Sequence, residues 1–170
     1  MENMWQEVKN DLSQEAEEQL LTDKVSEYDR ILTGENTMFN VEQLEEAMQK
    51  VMDTYAGGIG SHYQFNEKQL ELAEQKIEQI TKLTEGLAAE DMHELMFVYE
   101  LKERLTVCLT LIAHLKARKE TRWHSFAENL DYPQKSDEWL RYVNTVKKDG
   151  KIEVIYRNLV KRGETYEHSN

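Results

Sequence analysis

The feature that most constrains the fold is an apolar stretch between Asp91 and about Trp123. Apolar side chains recur there at spacings of three and four, and others fill much of the opposite side. A helix that is apolar on most of its circumference is expected to be buried against more than one neighbour. The stretch therefore predicts a core helix from Met92 to about Trp123, roughly 48 Å long at about 1.5 Å per residue.

This predicted helix has a distinct beginning. Asp91 is a suitable N-cap, and Glu94 stands three residues later, which is the spacing of a capping box. Its end is marked by cations in a chain with a formal net charge of −12, namely Lys116, Arg118, Lys119 and Arg122. They could complement the negative end of the helix dipole, or form a surface for a carboxylate, phosphate or acidic partner. Nearby aromatic residues favour a docking surface, because interface centres are enriched in aromatic residues and arginine; they are Trp123, Phe126, Tyr132 and Trp139.

Length and charge exclude several classes of protein. A chain of 170 residues is about one domain and can bury a core. Residues 1–53 carry 14 acidic and four basic residues, which argues against nucleic-acid binding. The sequence contains no run of 18 apolar residues, so we predict no membrane span, and the acidic N-terminus does not resemble a signal peptide. The single cysteine, Cys108, excludes a disulfide within the chain, and we expect a cytoplasmic protein.

Three further helices are predicted. Residues 1–32 form an acidic amphipathic helix with a break before Tyr28, which packs peripherally or is mobile; its apolar positions are Trp5, Val8, Leu12, Ala16, Leu20, Tyr28, Ile31 and Leu32. Asn40 with Gln43, and Asn66 with Gln69, are two identical capping-box signatures, each after a phenylalanine that can staple to a leucine. The inward residues of these two helices are Leu44, Met48, Val51, Met52 and Tyr55, and Leu70, Ala73, Ile77, Ile80, Leu83 and Leu87.

The boundaries of these two helices follow from composition. The first helix extends to about Ala56, and the glycine-rich residues 57–61 form a turn. This turn is not a phosphate loop, because no strand precedes it and no Gly-Lys-Ser/Thr follows. The second helix extends from Glu67 to about Ala89. Short connections place these helices and the Asp91 helix antiparallel to one another.

The C-terminal part changes character at Pro133, which stops helix propagation. Ser136 begins a short helix through Val143. Asp149 and Gly150 stand between β-prone runs and predict a type I′ hairpin, whose second strand runs from Lys151 to about Val160. We expect the tail after Gly163 to be frayed.

No complete catalytic or metal site can be assembled from the sequence. Glu90 and His93 have the Glu-x-x-His spacing of di-iron bundles, but no second pair exists. The segment after His93 lacks the second histidine of a zinc-protease helix. His114 is predicted to be a partly buried structural residue and Cys108 an inert packing residue. We therefore predict no catalytic, cofactor-binding or metal-binding residue in this chain.

The region after the core helix resembles a known family. Three segments carry the resemblance, namely Lys119-Glu-Thr-Arg-Trp123, Leu130-Asp-Tyr-Pro133 and Ser136-Asp-Glu-Trp139. They resemble the C-terminal helical domain of flavoprotein subunits of fumarate reductase, succinate dehydrogenase and adenylylsulfate reductase. Members typically show Glu-Ser-Arg-Gly, a His-containing link, Asp-Tyr-Pro and Asp-Glu-x-Trp. Thr121 replaces the serine and Trp123 the glycine. With residues 93–96, these departures make the adenylylsulfate reductase α subunit the closer likeness. The resemblance covers roughly residues 40–160.

The predicted fold is mainly α, an antiparallel, spectrin-repeat-like three-helix bundle with an extra N-terminal helix and a small C-terminal β-hairpin. The resemblance implies that the bundle packs on an FAD-binding domain and a capping domain. We divide the chain into an acidic arm (1–35), the bundle (36–132) and a short helix, hairpin and tail (133–170). FAD and the catalytic residues are expected in other domains. Glu120 and Arg122 are expected to form an ion pair that fixes the helix end against the flavin-binding domain. The predicted contact residues are Arg118, Glu120, Arg122, Trp123, Asp131, Tyr132 and Trp139.

Two functions remain open at this point. The chain is either the scaffold and docking domain of an FAD-dependent oxidoreductase, or a free-standing helical interaction module. In the first case the partners are the FAD-binding domain or subunit and, as a further candidate, an iron–sulfur subunit. An unoccupied docking face would also favour self-association. The substrate of the parent enzyme is not encoded in this part of the sequence.

Overall fold

The computed structural model describes residues 13–35, 38–123 and 127–160. These ranges contain four α-helices, α1 (Gln14–Thr33), α2 (Val41–Tyr55), α3 (Glu67–Leu83) and α4 (Met92–Ala117), and four strands, β1 (Gln64–Phe65), β2 (Glu128–Asn129), β3 (Arg141–Lys148) and β4 (Lys151–Asn158). The predicted mainly α fold is confirmed. Trp5, Val8, Leu12, Phe126 and the tail after Gly163 lie outside the described residues.

The starts of α2 and α3 are set by the predicted capping boxes. The side chain of Asn40 accepts a hydrogen bond from the backbone N–H of Gln43, at 2.9 Å, and the side chain of Gln43 accepts from that of Asn40, at 3.1 Å. Asn66 and Gln69 repeat the arrangement at 2.9 and 3.0 Å. At α4 the box is incomplete, because Glu94 accepts from the N–H of Glu90 rather than Asp91.

The core lies where α2, α3 and α4 meet, and α4 contacts each of the other helices and the β3–β4 hairpin. Its most enclosed side chains are Ile31, Leu70, Ile77, Leu87, Val98, Leu101, Leu105 and Ile112. One side of α4 is uncovered nonetheless, since Val107 is 65% exposed and Phe97 and Leu111 are also exposed. Burial of α4 is thus less complete than its composition predicts.

Two helices end earlier than predicted. α4 stops at Ala117 rather than near Trp123, because Arg118 adopts an extended conformation with ψ of 104°. α3 stops at Leu83 rather than near Ala89, and residues 84–86 form a 3₁₀ turn. The predicted inward position of Leu83 is wrong, because its side chain is exposed, whereas Leu87 is buried from the connection after the turn.

α1 packs on the edge of the bundle through its C-terminal half, in agreement with a peripheral position. The helix is continuous through Tyr28, so the predicted break is wrong. Ile31 is fully buried, and the carboxylate of Glu27 accepts a hydrogen bond from Lys102 of α4 at 3.0 Å. The rings of Tyr28 and Tyr99 meet edge to face, with centroids 5.5 Å apart.

The strands join parts of the chain that are distant in sequence. β1 and β2 pair in parallel, an element that the sequence pattern did not predict. β3 and β4 form the predicted antiparallel hairpin, and positive φ angles at Asp149 (50°) and Gly150 (77°) give it a type I′ turn. The predicted helix through Val143 is wrong, because only residues 137–139 form a 3₁₀ turn and Val143 belongs to β3. No helix among the described residues is long and apolar enough to cross a membrane.

Candidate functional site

The site is built on the carboxylate of Glu120, in the segment that follows α4. Its side chain is completely buried. Arg122 donates to both carboxylate oxygens, from Nε and from Nη2, each at 2.8 Å, and Nη1 of Arg118 donates to one of them. We call Arg118, Glu120 and Arg122 the arginine clamp. These three alternate residues can meet because the chain leaves the helical conformation at Arg118, whose backbone is extended.

The arginine clamp ties residues 118–122 to a segment about 20 residues later in the chain. Arg118 donates to the backbone carbonyls of Trp139 and Arg141, each at 3.1 Å. Arg122 donates to the carbonyl of Ser136 at 3.1 Å, and the N–H of Ser136 donates to Glu120 at 3.0 Å. The clamp therefore fixes the start of the hairpin against the end of α4.

The environment of Glu120 keeps its carboxylate charged. Burial alone would raise its pKa, but hydrogen bonds from Arg122, the N–H of Ser136 and Arg118 outweigh that effect and lower the pKa from 4.5 to about 2. The same hydrogen bond raises the pKa of Arg122. A fully paired carboxylate of this kind acts as a structural anion rather than as a proton donor or acceptor at neutral pH.

Thr121 holds the opposite side of the same segment. Its buried hydroxyl donates to the carbonyl of Tyr132 at 2.9 Å and accepts from the N–H of Asn129 at 2.9 Å. The side-chain oxygen of Asn129 in turn accepts from the N–H groups of Asp131 and Tyr132. The hydroxyl at position 121 thus joins this segment to the returning loop.

Asp131 and Tyr132 lie apart from the clamp, at the N-terminus of α3. The carboxylate of Asp131 accepts from the N–H of Glu67 at 2.7 Å, where the positive end of the helix dipole favours an anion. Lys119 pairs with the carboxylate of Glu67 at 2.9 Å and lies over the ring of Tyr132, 5.2 Å from its centroid. Both Asp131 and Tyr132 line a separate polar depression beside α3.

Trp139 lies behind the clamp. The guanidinium groups of Arg118 and Arg141 lie over its ring, 6.0 and 5.2 Å from the centroid. The ring also contacts Tyr156 edge to face. The half-buried indole therefore connects the clamp to the hairpin.

A groove of about 700 Å³ opens between the end of α4, the segment after it and the start of β3. It is lined by Phe65, His114, Leu115, Arg118, Glu120, Arg122, Trp123, Ala127, Arg141, Tyr142 and Val143. Three arginines and one glutamate give this lining a net charge of +2, in a chain of −12. Trp123 and Tyr142 are 70% and 52% exposed at its rim.

The structure brings together only part of the predicted contact set. Arg118, Glu120, Arg122 and Trp123 line the groove, Trp139 supports it from behind, and Asp131 and Tyr132 lie elsewhere. That these residues contact another domain stays a prediction.

Sequence reasoning missed the wall formed by Arg141, Tyr142 and Val143, because it assigned them to a helix. The β-prone run Tyr142-Val-Asn-Thr-Val146 before Asp149 was the sequence signal that could have identified it.

The described residues contain no group of three or more histidine, cysteine, aspartate or glutamate side chains placed to hold a metal ion. Cys108 is half-buried on α4, and burial raises the pKa of its thiol. His114 is also half-buried and lies 3.4 Å from the hydroxyl of Thr145 in β3. The described lining of the groove thus offers positive charge and aromatic surface, and the absence of a catalytic residue stays a prediction.

Comparison with known proteins places this site in context. Residues 45–167 match the family model described as "Fumarate reductase flavoprotein C-term". A segment of 108 residues, 61% of the chain, is 31% identical to the adenylylsulfate reductase subunit alpha of Megalodesulfovibrio gigas, and covers 16% of that protein.

Solved structures agree with this match. Adenylylsulfate reductase of Archaeoglobus fulgidus superposes with a TM-score of 0.77 at 27% identity, over 92% of this chain and 26% of that one. Quinol fumarate reductase of E. coli has the same fold, with a TM-score of 0.72 at 15% identity, over 94% of this chain and 28% of that one. The chain thus spans about a quarter or less of the length of these proteins.

Proposed function

Because the chain belongs to the family of fumarate reductase flavoprotein C-terminal domains, we propose that it acts as the helical docking domain of an FAD-dependent oxidoreductase of the adenylylsulfate reductase type. Its role is to support the flavin-bearing part of that enzyme, through the groove beside the arginine clamp. We infer that the protein acts in the cytoplasm.

The observation that carries this proposal is the contrast between Glu120 and Trp123. Glu120 is fully buried and holds two arginines in place, whereas Trp123, three residues later, is 70% exposed at the rim of the groove they line. Tryptophan and arginine are the residues that most often supply binding energy at protein interfaces. A rigid cationic groove with a solvent-exposed indole has the composition of an interface centre.

FAD itself does not fit the residues described. The dinucleotide fold needs a parallel sheet and a glycine-rich turn from a strand into a helix. Among the described residues, parallel pairing is limited to β1 with β2. The connection from β1 to α3 consists of Asn66, the N-cap of α3, and contains no glycine. We therefore assign FAD, and with it the reaction of the parent enzyme, to the partner.

The experiment begins with the gene. A flavin-binding reading frame fused or adjacent to this one supplies the partner to be co-expressed with the 170-residue chain. Co-elution of the two on a sizing column at micromolar concentration, with bound flavin, supports the docking function. Separate elution, with flavin fully retained by the partner alone, contradicts it. Where an iron–sulfur protein is encoded beside the same gene, adding it tests whether the complex has a third member.

One observation favours the alternative of a free-standing interaction module. α1 is acidic and exposes Leu20, Leu21 and Val25, which are 54%, 67% and 55% exposed. A second, unrelated partner with a basic face would suit this surface. The same column distinguishes the cases, because an interaction module elutes apart from the flavoprotein. Concentration-dependent elution of the chain alone would show self-association.

A further inference from the structure

The groove beside the arginine clamp runs along the edge of β3. Arg141, Tyr142 and Val143 are consecutive residues of this strand, and all three line the groove. Successive side chains of a strand point to opposite faces of the sheet. Three in a row line one groove where the groove follows the backbone edge, and we infer that main-chain groups as well as side chains face it.

The backbone groups on that edge can be assigned from the pairing. Nη2 of Arg118 donates to the carbonyl of Arg141, which therefore points away from β4. In an antiparallel pair, residues alternate between those bonded to the partner strand and those whose N–H and C=O point outward. Val143 and Thr145 share the outward orientation of Arg141. Among the described residues, β3 pairs only with β4, so no described strand lies on this edge.

The side chains around the edge specify the chemistry of a partner. Three arginines against one glutamate leave the lining with an excess of two positive charges, while Leu115, Trp123 and Tyr142 contribute apolar surface. The arginines of the clamp are already bound to Glu120 and to backbone carbonyls, so they do not form an empty cradle for a small anion. An open trough with a strand edge, excess positive charge and exposed aromatic rims suits an extended acidic peptide.

We propose that this edge accepts an extended, acidic segment of the flavin-bearing part as a third strand beside β3, an inference that rests on the docking function proposed above. The main chain of the segment pairs with Val143 and Thr145. Its carboxylates face Arg122 and Arg141, and its apolar side chains contact Trp123 and Tyr142. This mode of binding is β-strand addition, in which the backbone supplies affinity and alternating side chains supply specificity.

The test uses the isolated 170-residue chain and a capped peptide of alternating glutamate and leucine, so its outcome does not depend on finding the flavin-bearing partner. NMR spectra of the amides are recorded while the peptide is added to about 1 mM, a concentration at which even weak complexes are populated. We expect shifts at Val143, Thr145 and the indole of Trp123, and slower hydrogen exchange at the first two.

Two control peptides separate charge from backbone pairing. Lysine in place of glutamate is expected to weaken binding about tenfold or more, because the charges then repel. Methylation of alternate peptide nitrogens should abolish protection of Val143 and Thr145. Arg141→Gln should weaken binding of the glutamate peptide. Lys148→Gln, which removes the same charge at the far end of β3, should leave binding unchanged. If Arg141→Gln fails to fold, Trp123→Ala takes its place.

Several results would overturn the inference. They are no shift with the acidic peptide, equal binding of the lysine peptide, unchanged binding of the methylated peptide, or shifts at the same residues with inorganic sulfate alone. Any of them, together with co-elution of chain and flavoprotein, would leave the docking function in place and remove only the strand addition. Peptide binding without co-elution would remove the docking function instead.

Discussion

Arg122 holds the carboxylate of Glu120 by two hydrogen bonds of 2.8 Å, although the two residues stand only two positions apart. On a helix, residues two apart do not face each other. The contact therefore requires the chain to have left α4 before residue 120. The end of α4 at Ala117 is therefore a condition for the arginine clamp to form.

Glu120→Gln should destabilise the chain by about 2–4 kcal/mol. Removing one member of a buried pair leaves the other uncompensated, typically at 3–5 kcal/mol, and partial exposure of Arg118 and Arg122 reduces this cost. Urea denaturation followed by circular dichroism gives the free energy of unfolding. Glu138→Gln is the matched control, because that residue is exposed in the segment the clamp holds. Equal effects of the two substitutions would show that the clamp contributes nothing specific.

Acidification should destabilise the fold between about pH 4.5 and about pH 2. The folded pKa of Glu120 is lowered from 4.5 to about 2, so its contribution is complete above 4.5 and is lost as the pH falls towards 2. In that window the unfolded chain binds the proton first. One such group changes the free energy of unfolding by up to about 1.4 kcal/mol per pH unit.

The measurement is the free energy of unfolding at a series of pH values, for the natural chain and for Glu120→Gln. The variant should show a shallower fall in this window, because one titrating group has been removed. Parallel curves for the two proteins would contradict the assignment of the low pKa to Glu120.

Glu27→Gln should loosen α1 without unfolding the bundle. Hydrogen bonds from Lys24 and Lys102 lower the pKa of Glu27 to about 2 against the effect of burial, but these pairs are partly exposed. Such pairs contribute about 0–1 kcal/mol. Hydrogen exchange should accelerate in residues 24–30 and remain unchanged in α3. Asp29→Asn, on the same helix and exposed, is the control. Unchanged exchange in α1 would show that the ion pairs of Glu27 do not help to hold the helix.

Asp131→Asn should cost about 1 kcal/mol by weakening the start of α3. The carboxylate accepts from the N–H of Glu67 at 2.7 Å, and an anion there is favoured by the helix dipole. Thermal unfolding measures the change. Asp149→Asn serves as the control, since asparagine suits the same turn position of the hairpin. A loss of partner binding without any loss of stability would instead support the prediction that Asp131 is a contact residue.

Local signals in the sequence were sufficient for several elements. The boxes at Asn40 and Asn66 involve residues three apart, and the Asp149–Gly150 turn depends on two adjacent residues with positive φ. Each element is decided by bonds within a few residues, so the residue types alone predict it.

The errors share a different cause. The end of α4 depends on carbonyls of Ser136, Trp139 and Arg141, which lie 14 to 23 residues away from their donors. The β1–β2 pairing joins residues 64 apart, as between Gln64 and Glu128. No local pattern contains such partners. The ion pair of Glu120 and Arg122 was predicted through the family motif, but the neighbouring wall at Tyr142 was not.

The most direct test of the docking function is co-elution of the flavin-bearing partner with the natural chain and with Trp123→Ala. Trp123 is 70% exposed, so its removal should leave the unfolding midpoint of the isolated chain unchanged. We predict a flavin-containing complex with the natural chain at micromolar concentration and its loss with the variant. A complex that forms equally well with Trp123→Ala, or separate elution of the natural chain, would contradict the docking function.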